Sequence, residues 1–224
     1  MPGTDGTDLR TRQFAHLSRP GSTPALLVVD VQRDFADPDR LTEYGLKDAA
    51  LTALDRAVTR IGHLVDAARA AQVPVVWVEL GSDPARPWRA SNWLRGGDYD
   101  APMSPDEPCR VGTDGAEWYR MRPAEGEERV VKRGYSGFLG TDLDARLRAA
   151  GCGWLTVVGL TSECCVYATA QDAVQHDWPV VVPTDATAAY DLDVNAAALQ
   201  QLALNVAVLA DADEVTALWE RNSR

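Results

Sequence analysis

The sequence contains few residues that form disulfide bonds or bind metals. It has 4 cysteines and 3 histidines in 224 residues, and no Cys or His pair has the spacing of a structural zinc site. So few cysteines cannot make a disulfide scaffold, and Cys164 and Cys165 are sequence neighbours that are poorly placed to bridge each other. These shortages argue against a disulfide-stabilised secreted fold, and we expect free thiols and a cytoplasmic location.

Positive charge and long apolar runs are also scarce. The formal net charge is −11 and the pI is about 4.7, and the lysines and arginines are scattered along the chain. Neither a nucleic acid nor an anionic membrane is therefore expected as a partner. No apolar run approaches the roughly 18 residues of a membrane span. Residues 1–24 lack the apolar core of a signal peptide and predict a polar N-terminal arm.

The rest of the chain, residues 25–224, predicts a single domain with a sizeable core. Apolar residues make up 46% of the chain and charged residues 25%, as in ordinary globular proteins. Apolar runs typical of strands buried on both faces alternate with stretches of helical periodicity. The strands are predicted at 25–32, 73–80, 128–133, 154–160, 179–186 and 206–210, and the helices at 51–72, 141–151, 162–177, 195–204 and 211–222. This alternation predicts a three-layer α/β/α fold with a parallel sheet.

Segment 81–126 interrupts the alternation of strands and helices. It carries prolines throughout, together with aromatic residues that include Trp88, Trp93 and Trp118. Such aromatic content argues against disorder, and a loop this long inside a compact domain is usually functional. We expect this insert to cover a pocket or to contact another subunit.

Three polar residues stand at or just beyond carboxyl ends of predicted strands, where ligands of parallel sheets bind. Cys165 lies where a strand turns into a helix, whose positive end favours a thiolate, but a small buried residue is an equally good interpretation. Asp30 ends an apolar strand, either as a functional carboxylate or as a cap or structural ion pair. Lys132, taken alone, is better interpreted as a surface lysine. Cys164 is interpreted as structural, because helix neighbours do not share a face.

Taken together, these side chains form a coherent chemical set. A cysteine nucleophile must lose its proton, and that proton must later reach a leaving group. A buried Asp30 can do both if the Lys132 ammonium keeps it ionised and stabilises the Cys165 thiolate. This set would take the place of the more usual histidine, and neither His63 nor His176 is suitably placed.

Three stretches of the sequence resemble the isochorismatase-like cysteine hydrolase family. They read ALLVVDVQRDF, VVKRGYSGFLGTDLDARLRAAG, and LTVVGLTSECCVYATAQDA followed by VVVPTDAT. The resemblance spans about residues 25–210, and it is similar above all to the branch of N-carbamoylsarcosine amidase and of ureidoacrylate and biuret amidohydrolases. It implies a six-stranded parallel sheet of order 3-2-1-4-5-6.

The resemblance also implies a role for each of these residues. Cys165, which precedes a valine, matches the nucleophile, Asp30 the general acid/base, and Lys132 the third catalytic residue. A cis peptide bond is implied between Leu160 and Thr161, and the N–H groups of Thr161 and Cys165 would face the developing oxyanion. The pocket residues that it suggests are Phe35, Gln32, Trp88, Tyr135 and Ser136, with Gln32 equally well explained as a structural hydrogen bonder.

The implied reaction is hydrolysis of a C–N bond in a small amide or carbamoyl (ureide-type) substrate through a thioester. Nicotinamidases of the family carry a metal site built on Asp and His after the second strand. The corresponding stretch here, VELGSDPARPW, has no His, so we expect no metal and no other cofactor. The alternatives are an isochorismatase-type vinyl-ether hydrolase and a non-catalytic binding protein on the same scaffold. Family members usually associate, so we expect a homodimer or homotetramer.

Overall fold

One parallel sheet organises the computed structural model, which describes residues 6–222. The strands are β1 Pro24–Val29, β2 Val75–Leu80, β3 Glu128–Lys132, β4 Trp154–Leu160, β5 Val180–Pro183, β6 Thr187–Ala188 and β7 Val208–Ala210. Their order is β3-β2-β1-β4-β5-β7, and β6 pairs with the end of β4. The predicted order is confirmed, with β7 in the place of the sixth predicted strand. The extra strand β6 has two residues, too few to give a periodic pattern.

Helices connect the strands and cover the sheet. They are α1 Gly6–Leu17, α2 Arg33–Ala36, α3 Pro38–Glu43, α4 Asp48–Ala70, α5 Arg89–Gly96, α6 Leu143–Ala149, α7 Tyr167–Gln175, α8 Leu192–Asn205 and α9 Ala212–Asn222. Helix α9 begins with a reciprocal cap, in which the Glu214 N–H donates to Asp211 Oδ1 (2.7 Å) and the Asp211 N–H donates to Glu214 Oε2 (3.0 Å). Within residues 6–222, no helix is long and apolar enough to cross a membrane.

The two faces of the sheet each bury an apolar layer. On β1, Leu26 and Val28 pack on one side with α4 and α9, whereas Leu27 and Val29 pack on the other with α6 and α7. Alternate residues of a strand point to opposite faces, so a continuous apolar run is what burial on both faces requires. Each fully buried large apolar side chain contributes roughly 1.5–3 kcal/mol. The predicted three-layer arrangement is therefore present.

The N-terminal region is helical in the structure, although its composition predicts a polar arm over residues 1–24. Residues 1–5 of that arm lie outside the described residues. Helix α1 docks through Leu17, which is buried in the core, and through Arg10, which pairs with Glu214 of α9 at 2.8 Å. These contacts are with residues far away in the chain, so the local sequence gives no sign of them.

The insert at 81–126 folds back over the carboxyl ends of the strands. It contains α5 and one short 3₁₀ turn, Asp114–Ala116. The Asp34 carboxylate anchors it by accepting a hydrogen bond from the Cys109 N–H (2.7 Å), while Arg40 pairs with the same carboxylate (2.8 Å). The insert is thus held over the edge of the sheet where ligands bind.

A glycine allows β1 and β4 to approach closely at this edge. Gly159 has a φ of +128°, and a Cβ atom added there would lie 2.0 Å from the carbonyl oxygen of Val29. No side chain fits this space, and the conformation itself suits only glycine. Since Asp30 follows Val29 and the turn to Cys165 follows Leu160, this approach brings the two candidate catalytic segments together.

Candidate active site

The three polar residues singled out in the sequence converge at one point. Lys132 Nζ lies 2.7 Å from Asp30 Oδ2 and 3.5 Å from Cys165 Sγ. Asp30 and Lys132 are fully buried, and Cys165 is 7% exposed. The residues come from three different strand ends, so the contact between them is created by the order of the sheet.

Asp30 is presented by a backbone turn directly after β1. Its φ is +52°, a left-handed conformation that is uncommon for residues other than glycine and better tolerated by aspartate than by most. Its N–H donates to the carbonyl oxygen of Val78 (2.8 Å), which continues the pairing with β2. The turn interrupts the extended run that the sequence predicts to residue 32, and it carries the carboxylate to Lys132.

Lys132 ends β3, the strand at one edge of the sheet. Although β3 is separated from β1 by β2, the side chain is long enough to reach the centre of the site. Its ammonium donates to Asp30 Oδ2 and to the carbonyl oxygen of Gly134 (3.0 Å), and it contacts Cys165 Sγ. An ammonium has three N–H donors, so each of them has a partner at the site.

The surroundings of this pair raise the pKa of both groups, which makes the carboxylate a stronger base. Burial raises the pKa of Asp30 above its ordinary value, against the opposing effects of Lys132 and of the nearby Cys165 thiol. Burial lowers the pKa of Lys132, but the negative charge of Asp30 and the proximity of Cys165 outweigh it, so the net direction is upward. Among the described residues, Asp30 Oδ1 accepts no hydrogen bond. That oxygen is available to receive a proton.

Cys165 lies in a wide, π-type turn, Ser162–Val166, that leads from β4 into α7. A hydrogen bond with the Cys164 thiol, followed by burial and by the Asp30 charge, raises the pKa of Cys165 well above its ordinary value, against the pull of Lys132. The start of a helix predicts a thiolate, but these effects favour the thiol at rest. The site therefore needs a base to activate Cys165, and Asp30 is in contact with it.

The segment before this turn has the predicted cis peptide bond, between Leu160 and Thr161. Both residues line the pocket next to Cys165. The Thr161 hydroxyl donates to the Glu163 carboxylate (2.8 Å). The oxyanion role of Thr161 and Cys165 stays a prediction.

A cavity of about 190 Å³ opens above Cys165. Phe35, Trp88 and Tyr135 line it as predicted, and the rings of Trp88 and Tyr135 meet edge to face with centroids 4.7 Å apart. The insert supplies much of the wall, from Gly81 to Pro108. The insert of this chain therefore closes a pocket of the same chain.

Two predicted pocket residues, Gln32 and Ser136, do not line the cavity. The Gln32 amide accepts from the Leu80 N–H (2.9 Å) and donates to the carbonyl oxygens of Leu80 (3.0 Å) and Ala116 (2.9 Å). Ser136 is buried, and its hydroxyl accepts from the Phe138 N–H (3.1 Å). The polar groups of both side chains join segments of backbone, which fits the structural interpretation of Gln32, and substrate binding by these two residues stays a prediction.

Several residues of the pocket were not predicted from the sequence. Tyr190 is largely buried and donates to the carbonyl oxygen of Phe35 (3.2 Å), which braces one wall. Cys164 lines the pocket beside Cys165, although helical geometry predicts that it points elsewhere. The wide turn at Ser162–Val166 departs from regular helix and explains the difference. Tyr190 follows the short strand β6, which has no sequence pattern of its own.

The mouth of the pocket carries both signs of charge. Arg86 pairs with Asp83 at 3.1 Å, and Arg95, Arg133 and Glu107 also line the cavity. Within residues 6–222, no group of three or more His, Cys, Asp or Glu side chains is arranged to hold a metal ion. The buried cluster next to the cavity consists of a thiol, a carboxylate and an ammonium.

A family model described as the Isochorismatase domain matches residues 24–214. The chain belongs to the isochorismatase family. This confirms the resemblance noted in the sequence, and the match covers every strand of the sheet together with the segments that carry Asp30, Lys132 and Cys165.

Individual relatives of this isochorismatase-family chain include amidohydrolases. Ureidoacrylate amidohydrolase RutB of Methylobacterium radiotolerans is 32% identical over 175 residues, which cover 74% of this chain and 67% of that protein. A cysteine hydrolase from Pseudomonas syringae has 25% identity and a TM-score of 0.74, covering 92% of this chain and 96% of that one. N-carbamoylsarcosine amidase from Thermoplasma acidophilum has 27% identity and a TM-score of 0.66, covering 85% and 97%. This family member is accordingly a hydrolase of C–N bonds other than peptide bonds.

The position of Trp88 gives a first prediction about this isochorismatase-family pocket. Replacing Trp88 with Ala removes a wall of the cavity and its edge-to-face contact with Tyr135, so we expect KM to rise about three- to tenfold with a smaller change in kcat. The matched control is Trp93→Ala, because Trp93 is 61% exposed on α5 and does not line the cavity. Steady-state kinetics of both variants check this, and equal effects of the two substitutions would contradict it.

Proposed function

We propose that this chain is a cysteine-dependent amidohydrolase that cleaves a small carbamoyl or amide substrate through a thioester on Cys165. The observation that carries the proposal is the buried contact of Lys132 Nζ with both Asp30 Oδ2 and the sulfur of Cys165, which lines the cavity. A thiol, a base and a fixed cation in one buried cluster are what nucleophilic catalysis by cysteine requires.

In the first step, Asp30 takes the proton of the Cys165 thiol as the sulfur attacks the substrate carbonyl carbon. The raised pKa of Asp30 makes it a better proton acceptor than an ordinary carboxylate, and Lys132 stabilises the thiolate as it forms. The carbonyl oxygen gains negative charge in this step. The N–H groups of Thr161 and Cys165 are the proposed donors to it.

In the second step, the tetrahedral intermediate collapses and the C–N bond breaks. Asp30 returns its proton to the departing nitrogen, so that ammonia or an amine leaves and the acyl group remains on Cys165 as a thioester. A water molecule then attacks the thioester carbonyl, with Asp30 again accepting a proton. The C–S bond breaks as the acid is released, and Asp30 gives this proton to the Cys165 sulfur, which restores the thiol. A single carboxylate therefore serves alternately as base and acid in both halves of the reaction.

The names of the relatives support a ureide as the substrate class. RutB relatives of this chain are described as ureidoacrylate amidohydrolases, and a structural relative is an N-carbamoylsarcosine amidase. Both names denote molecules with a carbamoyl nitrogen. The cavity of about 190 Å³ is smaller than the roughly 300–1,000 Å³ of pockets that hold drug-sized ligands, which favours a small substrate.

A substrate panel tests this proposal. Purified protein is incubated with ureidoacrylate, N-carbamoyl amino acids, biuret and simple primary amides, and released ammonia is measured with Cys165→Ala as the blank. We expect turnover of at least one ureide that the variant lacks. Turnover of isochorismate without any ammonia release would instead favour the vinyl-ether hydrolase, and the absence of any turnover would favour a binding protein.

The ionisation of Asp30 predicts the acid side of the pH profile. Asp30 must be ionised to accept the thiol proton. The value of kcat/KM is therefore highest above the pKa of Asp30 and decreases as the pH falls through that pKa. Because that pKa is raised above the ordinary 3.8, we expect the acid limb at a higher pH than an exposed carboxyl gives. A rate measured against pH checks this, and a profile that stays flat down to about pH 4 would contradict it.

A further inference from the structure

Two adjacent thiols open onto one pocket. Cys164 and Cys165 both line the cavity, Cys165 at its floor and Cys164 half-buried beside it. Their side chains lie within hydrogen-bonding reach of each other, although regular helical geometry separates neighbours. Both residues lie in the wide turn at Ser162–Val166, which is not a regular helix, and both line the same cavity.

The other two cysteines cannot take part in chemistry at this pocket. Cys109 is fully buried, with its sulfur directed at the carbonyl oxygen of Gly115 (3.9 Å). Cys152 precedes β4, at the opposite end of the sheet from the cavity, and packs against the core. All four cysteines are free and lie within the described residues. The pair at 164 and 165 is therefore the one place where two thiols share an accessible cavity.

We propose that Cys164 and Cys165 form a two-thiol oxidation site, which a hydroperoxide converts to a vicinal disulfide that reversibly blocks the catalytic pocket. The loss of activity rests on the proposed function, because it requires Cys165 to be the nucleophile. Formation of the disulfide does not rest on that function, because it requires only the two sulfurs and access for the oxidant.

A hydroperoxide converts the two thiols to a disulfide in two steps. In the first step, the more exposed Cys164 sulfur attacks an oxygen of the hydroperoxide and the O–O bond breaks. Water or an alcohol leaves with the thiol proton. The sulfur becomes a sulfenic acid, and the peroxide is reduced by two electrons. The Cys165 sulfur then attacks that of Cys164, the S–S bond forms, and the S–O bond breaks with loss of water. Asp30 is placed to take the Cys165 proton in the second step.

The vicinal disulfide between Cys164 and Cys165 is expected to be easy to reduce. Cα atoms of neighbouring residues are about 3.8 Å apart, which is shorter than the usual span of roughly 4.4–6.8 Å in disulfides. Strain of this kind makes a disulfide more readily reducible. The disulfide would thus inactivate the enzyme temporarily and shield Cys165 from irreversible oxidation to a sulfinic acid.

Peptide mass spectrometry tests the proposal independently of activity. Protein treated with hydrogen peroxide is alkylated, and then digested with a protease that cleaves after glutamate. Cleavage after Glu163 and Glu214 places Cys164 and Cys165 in one peptide and Cys152 in another. We expect the 164–214 peptide to lose two hydrogens and to resist alkylation until dithiothreitol is added. Addition of oxygen to this peptide instead, or disulfides between chains, would overturn the proposal.

Activity measured in parallel uses Cys164→Ala, with Cys152→Ala as the matched control. Each variant is compared with its own untreated rate. We expect dithiothreitol to restore most of the peroxide-inhibited activity in the wild type and in Cys152→Ala. It should restore a much smaller share in Cys164→Ala, where Cys165 has no partner thiol and is oxidised beyond the reducible sulfenic acid. Equal restoration in Cys164→Ala would overturn the proposal. If the disulfide forms but no substrate is turned over before treatment, the proposed function fails and the oxidation site stands.

Discussion

Replacing Cys165 with Ala is expected to lower kcat by at least about a thousandfold, because removing a covalent nucleophile leaves only the binding and oxyanion contributions to catalysis. Cys165→Ser is expected to lose almost as much activity. A serine hydroxyl is a far weaker nucleophile than a thiol, and Asp30 has to remove its proton from a much less acidic group. The kinetics of ammonia release from the best ureide of the panel measure both effects.

The fold of the Cys165 variants must be unchanged for this result to count. Cys165 is 7% exposed and packs with Val166 in the apolar layer between the sheet and helices α6 and α7. Alanine therefore removes one sulfur atom from a largely filled space. We expect a modest loss in the free energy of unfolding, about 1 kcal/mol for a small cavity. Cys152→Ala is the matched control, because it removes a half-buried thiol far from the pocket. Full turnover by folded Cys165→Ala would exclude the covalent mechanism.

The sheet was largely predictable, because strands buried on both faces are continuous apolar runs. Strand β4 has the predicted bounds, Trp154–Leu160, and α6 ends at Ala149, two residues before Gly151, whose φ is +70°. Helix α1 was not predicted, since its sequence is polar and its stabilising contacts, such as Arg10 with Glu214, join the two ends of the chain. Local patterns predict elements that are stabilised by their own apolar face.

The residues of the candidate catalytic cluster were easier to predict from the sequence than the lining of the pocket. Asp30 and Lys132 are 102 residues apart, and only their shared position at strand ends, with the family resemblance, indicated that they meet. The lining of the pocket was harder to predict. For Gln32 the sequence leaves substrate binding and structural hydrogen bonding open, and its amide bonds to backbone groups, whereas Cys164 is interpreted as structural but lines the cavity. The geometry of turns decides such cases, and turns carry little periodic signal.

Replacing Lys132 with Met is expected to abolish activity and to destabilise the fold. Lys132 and Asp30 are both fully buried, and removing one partner of a buried ion pair leaves the other charge uncompensated at a cost of about 3–5 kcal/mol. Methionine keeps most of the volume of the lysine stem, so the effect reports charge rather than packing. The free energy of unfolding from denaturant titration and the ammonia-release rate measure the two outcomes.

The double variant Asp30→Asn/Lys132→Met separates stability from catalysis. Removing both charges leaves no buried ion, so we expect most of the lost stability to return while activity stays absent. A double variant as unstable as Lys132→Met alone would show that the ion pair is not the cause. Asp30→Asn alone is expected to be inactive too, because an amide cannot accept the thiol proton.

The pH dependence of the unfolding free energy shows whether Lys132 stabilises the fold through its charge. In Lys132→Met, Asp30 loses the cation that opposes burial, so its pKa rises further in the folded protein. A group whose pKa is higher when folded than when unfolded stabilises the fold below its unfolded pKa, and that stability is lost as the pH rises through the folded pKa. The difference in unfolding free energy between wild type and Lys132→Met should therefore grow as the pH rises. A difference that stays constant with pH would mean that the lysine acts through packing, and that Asp30 does not depend on it for its charge.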